Sequence, residues 1–331
     1  MKRKLVCVLA ILGLLSTLFT GCGKSGGLKE ITLNEVAHSI FYAPMYVAIE
    51  KGYFKDEGLK VKLVNGLGAD KTMTAVLSGN CDIGFMGPEA TVYVYNEGQK
   101  DYVVNFAQLT QRAGNFLVSK NKNEDFNWSN VKGKTIIGGR AGGMPEMIFE
   151  YILKKNGIDP KTDLKIVQNI DFGLTSQAFS SGQGDYTVEF EPAATGLELQ
   201  GDGKVVASLG VESGKVPYTA FSAKKSYIEK NPTVIQDFTN ALQKGLDYVS
   251  KHTPEEIAKV IQPQFAETKY DTLVKIVTRY YNQETWKDNL VFEEDSLNLL
   301  QDILTDSGVI KEKAPYADIV NTDFAKKAAG K

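Results

Sequence analysis

The chain has 331 residues, which is enough for two or three domains and a large buried core. With 43% hydrophobic and 24% charged residues, the composition argues against intrinsic disorder, collagen and a polytopic membrane protein. The formal net charge of -2 gives no excess of Lys and Arg for phosphate contacts, so we expect no nucleic-acid partner. Two His and three Cys are few for a zinc site, and we expect neither a metal nor a cofactor.

The first residues have the pattern of an export signal. Lys2, Arg3 and Lys4 precede an apolar stretch over residues 5–19, which is too short for a permanent membrane span. We therefore predict that residues 1–21 form a cleaved signal peptide and that the protein is exported.

The end of this signal is similar to the bacterial lipobox, the site cleaved by the lipoprotein signal peptidase. The run Leu18-Phe19-Thr20-Gly21-Cys22 has small residues before the cysteine, although Phe19 stands where Leu is usual. We expect Cys22 to carry acyl chains such as palmitate, with residues 22–29 as a flexible tether at the extracytoplasmic face of the cell membrane. An ordinary secreted protein is the alternative.

Strand-like and helix-like runs alternate through the first half of the chain. We predict strands at 31–36, 59–64 and 83–86, followed by helices at 44–51, 71–77 and 89–96. A second series has strands at 116–119, 134–138, 164–170, 186–189, 205–209 and 218–223, with helices at 145–156 and 177–180. Helices then follow at 232–252, 254–261, 271–281 and 293–306. Such alternation predicts an α/β fold with a parallel sheet.

Two α/β series followed by helices predict two lobes. Residues 30–115 would form the first part of lobe 1, residues 116–218 lobe 2, and residues 219–331 the return to lobe 1 with the C-terminal helices. Ligands of open α/β sheets bind outside the carboxyl ends of the strands, so the loops that follow strands are the places to look for binding residues.

Several motifs resemble the substrate-binding proteins of ABC importers of the nitrate, alkanesulfonate and taurine type (SsuA/THI5-like), including relatives that bind thiamine-pyrimidine precursors. The resemblance is carried by segments 41–59, 76–84, 131–136, 179–185 and 191–192. It implies a two-lobed, periplasmic-binding-protein-like (type II) clamp with a ligand cleft between the lobes. It also implies a small polar organic ligand, delivery to an ABC permease and ATPase, and a monomeric protein.

Three loops after predicted strands of lobe 1 provide candidate ligand contacts. Ser39, Phe41 and Tyr42 follow the first strand, where the family places binding residues. After the second and third strands come Gly66 and the pair Gly87 and Glu89, where backbone N–H groups are exposed at helix starts. His38 is a weaker candidate, because a lone histidine is more often a structural donor.

A glycine-rich turn in lobe 2 is the best candidate for an anion site. Gly142, Gly143 and Met144 lie between a strand and a helix, and their amides would point into the cleft. This turn is neither a P-loop nor a dinucleotide-binding fingerprint. A sulfonate, carboxylate or nitrate could be held there, with Arg112 or Arg140 as charge partner.

The end of a later strand suggests a different ligand. Glu189 and Glu191 flank an aromatic residue and favour a cationic or hydrogen-bond-donating molecule such as an aminopyrimidine. Tyr218 could close the cleft or pack at the hinge. The sequence therefore leaves the charge of the ligand open.

Two other functions are alternatives to transport. Pyrimidine synthases share this fold, but those relatives carry a cysteine-rich iron-binding segment, whereas the mature chain has one non-lipidated cysteine, Cys81. We place no catalytic residue and expect no enzyme. A sensory lipoprotein that keeps the clamp without transport is the other alternative.

Overall fold

The computed structural model describes residues 27–330. The predicted signal peptide, Cys22 and tether residues 22–26 lie outside this range. The strands are β1 (Lys29–Glu35), β2 (Leu59–Asn65), β3 (Ile83–Met86), β4 (Val103–Thr110), β5 (Asn115–Ser119), β6 (Thr135–Ile137), β7 (Lys165–Val167), β8 (Tyr186–Phe190), β9 (Lys204–Ser208) and β10 (Thr219–Lys224).

Helices outnumber the strands among these residues. They are α1 (Ala43–Glu50), α2 (Tyr53–Asp56), α3 (Ala69–Ser78), α4 (Glu89–Asn96), α5 (Met144–Lys155), α6 (Thr175–Ser180), α7 (Ala193–Gln200), α8 (Leu209–Ser213), α9 (Lys225–Lys230), α10 (Pro232–Lys251), α11 (Pro254–Ile261), α12 (Tyr270–Asn282), α13 (Glu294–Asp306), α14 (Tyr316–Ile319) and α15 (Asp323–Ala328). Short 3₁₀ turns lie at Ile40–Tyr42, Trp128–Val131, Phe172–Leu174 and Gln262–Phe265.

The strands form two separate five-stranded sheets. The first has the order β2-β1-β3-β10-β4 and the second has the order β7-β6-β8-β5-β9. The first sheet thus contains β1 to β4 together with β10, the strand with which the chain returns from the second sheet. The second sheet contains β5 to β9. We call the two halves lobe 1 and lobe 2 after these sheets.

Both sheets are mixed, so the prediction of a parallel sheet is wrong for one strand in each. In lobe 1, β1 is parallel to β2 and β3, whereas β10 is antiparallel to β3 and β4. In lobe 2, β5 is antiparallel to β8 and β9. The reversed strands β5 and β10 follow the two crossings between the sheets. Each arrives from the other sheet, so no β-α-β unit joins it to a neighbouring strand of its own sheet, and the right-handed geometry that keeps such strands parallel does not apply to them.

The C-terminal helices pack mainly on lobe 1. The long helix α10 lies against α1 and α15. Gly245 makes this approach possible, since a Cβ at that position would overlap the Pro44 carbonyl oxygen. Among residues 27–330, no helix combines the length and apolar character needed to cross a membrane.

Candidate functional site

A cleft of about 210 Å³ lies between the two lobes. Loops at the carboxyl ends of β1, β2, β3, β6 and β7 line it, as expected for a ligand site of an α/β fold. Its lining includes Arg140, one of the two candidate charge partners, and six of the predicted ligand contacts: Tyr42, Gly87, Glu89, Gly143, Met144 and Tyr218.

Aromatic rings form one wall of the cleft. Tyr42 belongs to lobe 1, and Tyr218 directly precedes β10, where the chain returns to lobe 1. Phe190 lies at the end of β8 in lobe 2. The rings of Phe190 and Tyr218 meet edge to face, with centroids 6.0 Å apart. Such a wall provides flat apolar faces on which a ring can pack.

Phe41 lies beneath this wall and supports it. The side chain is fully buried and its ring contacts those of Tyr42, Phe190 and Tyr218 at centroid distances of 5.2, 5.7 and 5.6 Å. Because these rings belong to both lobes, Phe41 joins the lobes at the base of the cleft. The structure places it behind the lining and not in it.

Glu89 is the most buried acid of the cleft. It begins α4, is 1% exposed and has one oxygen, Oε2, without a hydrogen-bond partner. Burial raises its pKa to about 7, while its own backbone N–H, Arg140 and the N–H groups of Met144 and Ala90 act to lower it. The carboxyl therefore loses its proton at a higher pH than a solvent-exposed glutamate does.

In the glycine-rich turn before α5, the backbone N–H groups of Gly142 and Gly143 are hydrogen-bonded within lobe 2. The Gly143 N–H donates to the Arg140 carbonyl at 3.0 Å, and the Gly142 N–H donates to Glu146 Oε2 at 3.1 Å. Pro145 has no N–H to offer. Gly142 itself is outside the cleft lining and reaches a φ of 71°, which glycine tolerates best.

Two contacts join the lobes across the rim of the cleft. The Tyr93 hydroxyl of α4 donates to the Gly142 carbonyl at 2.8 Å. Arg140 approaches Asp70 of α3, with Nε and Oδ1 3.8 Å apart and both side chains about half exposed. These contacts hold lobe 2 against lobe 1 and close one side of the cleft.

Ser39, Glu189 and Glu191 lie around a second cavity of about 140 Å³. The Ser39 hydroxyl donates to the Glu191 carbonyl at 2.6 Å, which is another contact between the lobes. Glu191 accepts from Thr195 N–H at 2.9 Å and from Arg279 at 2.6 Å. Burial raises the pKa of Glu189 to about 7, and Thr175 and Thr187 donate to it.

Gly66 and Arg112 lie away from both cavities. A Cβ on Gly66 would overlap Asn34 Oδ1 and Thr72 Oγ1, so the glycine is needed for packing behind the loop. Arg112 donates to the Gly210 carbonyl and to Glu284, both at 3.3 Å. The guanidinium of Arg112 therefore pairs with Glu284 at the crossing between the sheets and does not reach the cleft.

Part of the lobe 2 lining was not predicted from the sequence. Gln168, Asn169, Ile170 and Asp171 line the cleft in the loop after β7. The predicted strand ran to residue 170, whereas β7 ends at Val167. A loop after β7 was therefore counted as strand, and its polar run from Gln168 was the available signal.

His38 lines the second cavity and is held by structural partners. Its Nδ1 lies 2.8 Å from Glu35 Oε1, and its Nε2 lies 2.8 Å from the Gln264 carbonyl oxygen. The carboxyl of Glu35 also accepts from the Tyr46 hydroxyl at 2.6 Å. The hydrogen bond to Glu35 is the main cause of a raised pKa for His38.

The remaining cysteine is buried. Cys81 is 6% exposed, and burial raises its pKa to about 12, so its thiol packs as a small apolar group. No three His, Cys, Asp or Glu side chains among residues 27–330 are grouped as ligands of a metal ion would be.

The two lobes and the cleft between them define the periplasmic-binding-protein fold. The ligand-binding component of an ABC-type import system from Staphylococcus aureus is similar, with a TM-score of 0.75 and 15% identity over 91% of this chain and 99% of that one. A sequence model of the family described as "NMT1/THI5 like" matches residues 40–257. The chain belongs to this family.

Three curated relatives are informative. The "Putative binding protein YtlA" of Bacillus subtilis (strain 168) is 43% identical over 99% of this chain and 98% of its own length. The "Putative aliphatic sulfonates-binding protein" of the same organism is 24% identical over 99% and 97%. A 4-amino-5-hydroxymethyl-2-methylpyrimidine phosphate synthase of Aspergillus parasiticus is 25% identical over 63% of each chain.

Proposed function

We propose that the protein is the solute-binding component of an ABC importer, which captures a small polar organic molecule and delivers it to a membrane permease. The observation that carries this proposal is the cleft of about 210 Å³ between the lobes, lined from both sides and walled by aromatic rings. A dry apolar cavity of about 150 Å³ already admits a benzene ring. The space therefore suits a single-ring or comparably small ligand.

The mechanism is closure of the two lobes around the ligand. A molecule that touches both lobes favours the closed state by its additional contacts there. The Tyr93–Gly142 and Arg140–Asp70 contacts support this mechanism, because opening the cleft on that side would break both. The permease then receives the ligand from the closed or opening clamp.

We propose an extracytoplasmic protein held at the cell membrane by lipid on Cys22, with the lobes as a monomer above a short tether. A Cys22→Ala variant should appear in the medium with unchanged ligand affinity. Membrane retention of that variant would contradict the anchor.

Uptake in cells tests the transport role. Deletion of the protein should abolish high-affinity uptake of its ligand, and expression of the wild-type chain should restore it. Unchanged uptake, combined with ligand binding by the purified protein, would favour a sensory role. Conversion of the ligand into a product by the purified protein would favour the synthase alternative, which the distant relative from Aspergillus parasiticus represents.

A further inference from the structure

We propose that Glu89 is the main polar contact of the ligand, and that its carboxylate makes the cleft select a molecule with N–H donors over an anion. This inference rests on the proposed function, because it names the chemistry of the molecule that the cleft binds. The sequence left the charge of the ligand open, with the glycine-rich turn as the candidate site for an anion.

The first support is an incomplete hydrogen-bond set at a buried acid. Glu89 is 1% exposed, and its Oε2 has no partner. Buried polar atoms are nearly always hydrogen-bonded, since an unpaired one loses its interaction with water without replacement. An unpaired carboxylate oxygen in a ligand cleft is therefore suited to accept a hydrogen bond from the ligand.

The second support is the way in which space is kept open around this oxygen. A Cβ on Gly87 would overlap Glu89 Oε2 and would lie 2.6 Å from Cγ of Met144. Glycine at position 87 is therefore required for the carboxyl of Glu89 to lie where it does. All three residues line the cleft.

The third support is that the opposite turn has no free donor for an anion at positions 142–145. Gly142 and Gly143 donate within lobe 2, and Pro145 lacks an N–H. The N–H of Met144 acts on Glu89 itself by favouring its ionised form. The carboxylate of Glu89 thus occupies, from lobe 1, the position at the helix N-terminus where an anionic ligand would otherwise be favoured.

Acids outnumber bases among the charged groups that line the cleft. The acids are Asp70, Glu89 and Asp171, and the bases are Lys71 and Arg140. Arg140 already approaches Asp70 across the rim. A bound anion would meet the carboxylate of Glu89 at the base of the cleft, whereas an N–H donor would complete the hydrogen-bond set of that acid.

The aromatic wall adds a condition on shape. Tyr42, Phe190 and Tyr218 present ring faces and edges to the same space that Glu89 faces. A flat ring can pack there, and a positive charge near a ring face is also stabilised. The ligand class is therefore a small heteroaromatic ring with an amino group or a protonated ring nitrogen.

Isothermal titration calorimetry with the purified protein tests this assignment at pH 8, above the raised pKa of Glu89. The probes are 4-amino-5-hydroxymethyl-2-methylpyrimidine, the same ring without its amino group, adenine and ethanesulfonate. We expect at least one amine-bearing ring to bind, and we expect roughly 10- to 100-fold weaker binding in Glu89→Gln. The same variant should bind ethanesulfonate more tightly than the wild-type protein does.

Glu35→Gln is the matched control, because Glu35 is also 1% exposed in lobe 1 but lies outside the cleft lining. Glu35→Gln should bind the amine-bearing ring with the affinity of the wild-type protein. A two-state melting curve for Glu89→Gln and for Glu35→Gln would show that both variants are folded.

Three results would overturn the inference. These are tighter wild-type binding of ethanesulfonate than of the amines, an unchanged affinity in Glu89→Gln, and an equal loss in Glu35→Gln. Absence of binding to every probe would also contradict the inference. Failure of the proposed transport function would be seen in a different experiment, as unchanged uptake of all solutes in cells that lack the protein.

Discussion

Two acids at the contact between the lobes, Glu89 and Glu191, have similar burial and opposite surroundings. Glu191 is 1% exposed and both of its oxygens are bonded, to Thr195 and Arg279. Glu89 is equally buried, but its Oε2 has no partner. The difference teaches that burial alone does not identify a ligand-binding acid. An acid whose hydrogen-bond set is complete stabilises the fold, and one whose set is incomplete can serve a ligand.

The largest expected effect is on folding, through Glu191. Glu191→Ala would leave Arg279, whose side chain is 22% exposed, without one of its two carboxylate partners. We expect the free energy of unfolding to fall by about 3 kcal/mol, since loss of one partner of a buried ion pair costs about 3–5 kcal/mol. Chemical denaturation measures it.

Lys275→Ala is the control for this variant, because Lys275 pairs with Glu198 at the surface and is 52% exposed. Its effect should stay below about 1 kcal/mol. If Glu191→Ala proved as stable as Lys275→Ala, the structural role of Glu191 would be rejected.

The second effect is a pH dependence of stability caused by Glu89. Its pKa rises from 4.5 to about 7 on folding, so the group contributes stability that is present below pH 4.5 and is lost as the pH rises through 7. The loss amounts to roughly 3 kcal/mol at one pKa unit per 1.36 kcal/mol. The titratable and charged groups that face this carboxyl from the elements packed against it are Arg140, Tyr42, Tyr93 and Tyr218.

Denaturation of the wild-type protein and Glu89→Gln at several pH values isolates this contribution. Glu146 and Glu189 also have raised pKa values and occur in both proteins, so their effects cancel in the difference. The stability of Glu89→Gln relative to the wild-type protein should rise between pH 4.5 and 7. A difference that does not change with pH would show that Glu89 is not held in a buried, incompletely bonded position.

The third effect concerns the glycine that keeps the cleft open. Gly87→Ala should move the carboxyl of Glu89 and the side chain of Met144, at a cost of about 1–3 kcal/mol in stability. We expect ligand affinity to fall by roughly 10-fold or more, because the carboxyl can no longer accept from the ligand in place. Gly196→Ala is the control, since nothing lies within 4 Å of a Cβ at that helical position. Equal affinities in the two variants would contradict the assignment.

The smallest effect is on closure of the cleft. Tyr93→Phe removes the hydrogen bond to the Gly142 carbonyl. A hydrogen bond of this kind contributes about 0.5–1.5 kcal/mol, so the affinity for the ligand should fall by roughly 2- to 10-fold, mainly through faster dissociation. Stopped-flow measurement of the dissociation rate would show it. Tyr316→Phe removes a hydrogen bond to the Phe292 carbonyl, outside the cleft lining, and should leave that rate unchanged.

Much of the fold could be predicted from the sequence because strand and helix periods are local. The predicted helices 89–96 and 254–261 have the bounds of α4 and α11. The strand β4 was missed because Asn105 and Gln108 interrupt its apolar run. Both are buried. The Asn105 side chain donates to the Ile319 carbonyl and the Gln108 backbone N–H donates to the Leu290 carbonyl, and the sequence cannot show such distant partners.

The candidate site could be predicted only in part, for a physical reason that the two acids illustrate. Glu89 and Glu191 both follow predicted strands, so both were predicted to contact the ligand. Which of them keeps a free oxygen depends on Arg279, 88 residues beyond Glu191 in the chain, and on the absence of a Cβ at Gly87. The domain boundaries and the ligand contacts themselves stay predictions.

A crystal structure of the protein with the ligand that co-purifies with it tests the central claim most directly. The account predicts a flat ring against Tyr42 and Tyr218, with an N–H donor within hydrogen-bond distance of Glu89 Oε2. An anion bound to the amides of the glycine-rich turn, with Glu89 turned away from the cleft, would contradict it.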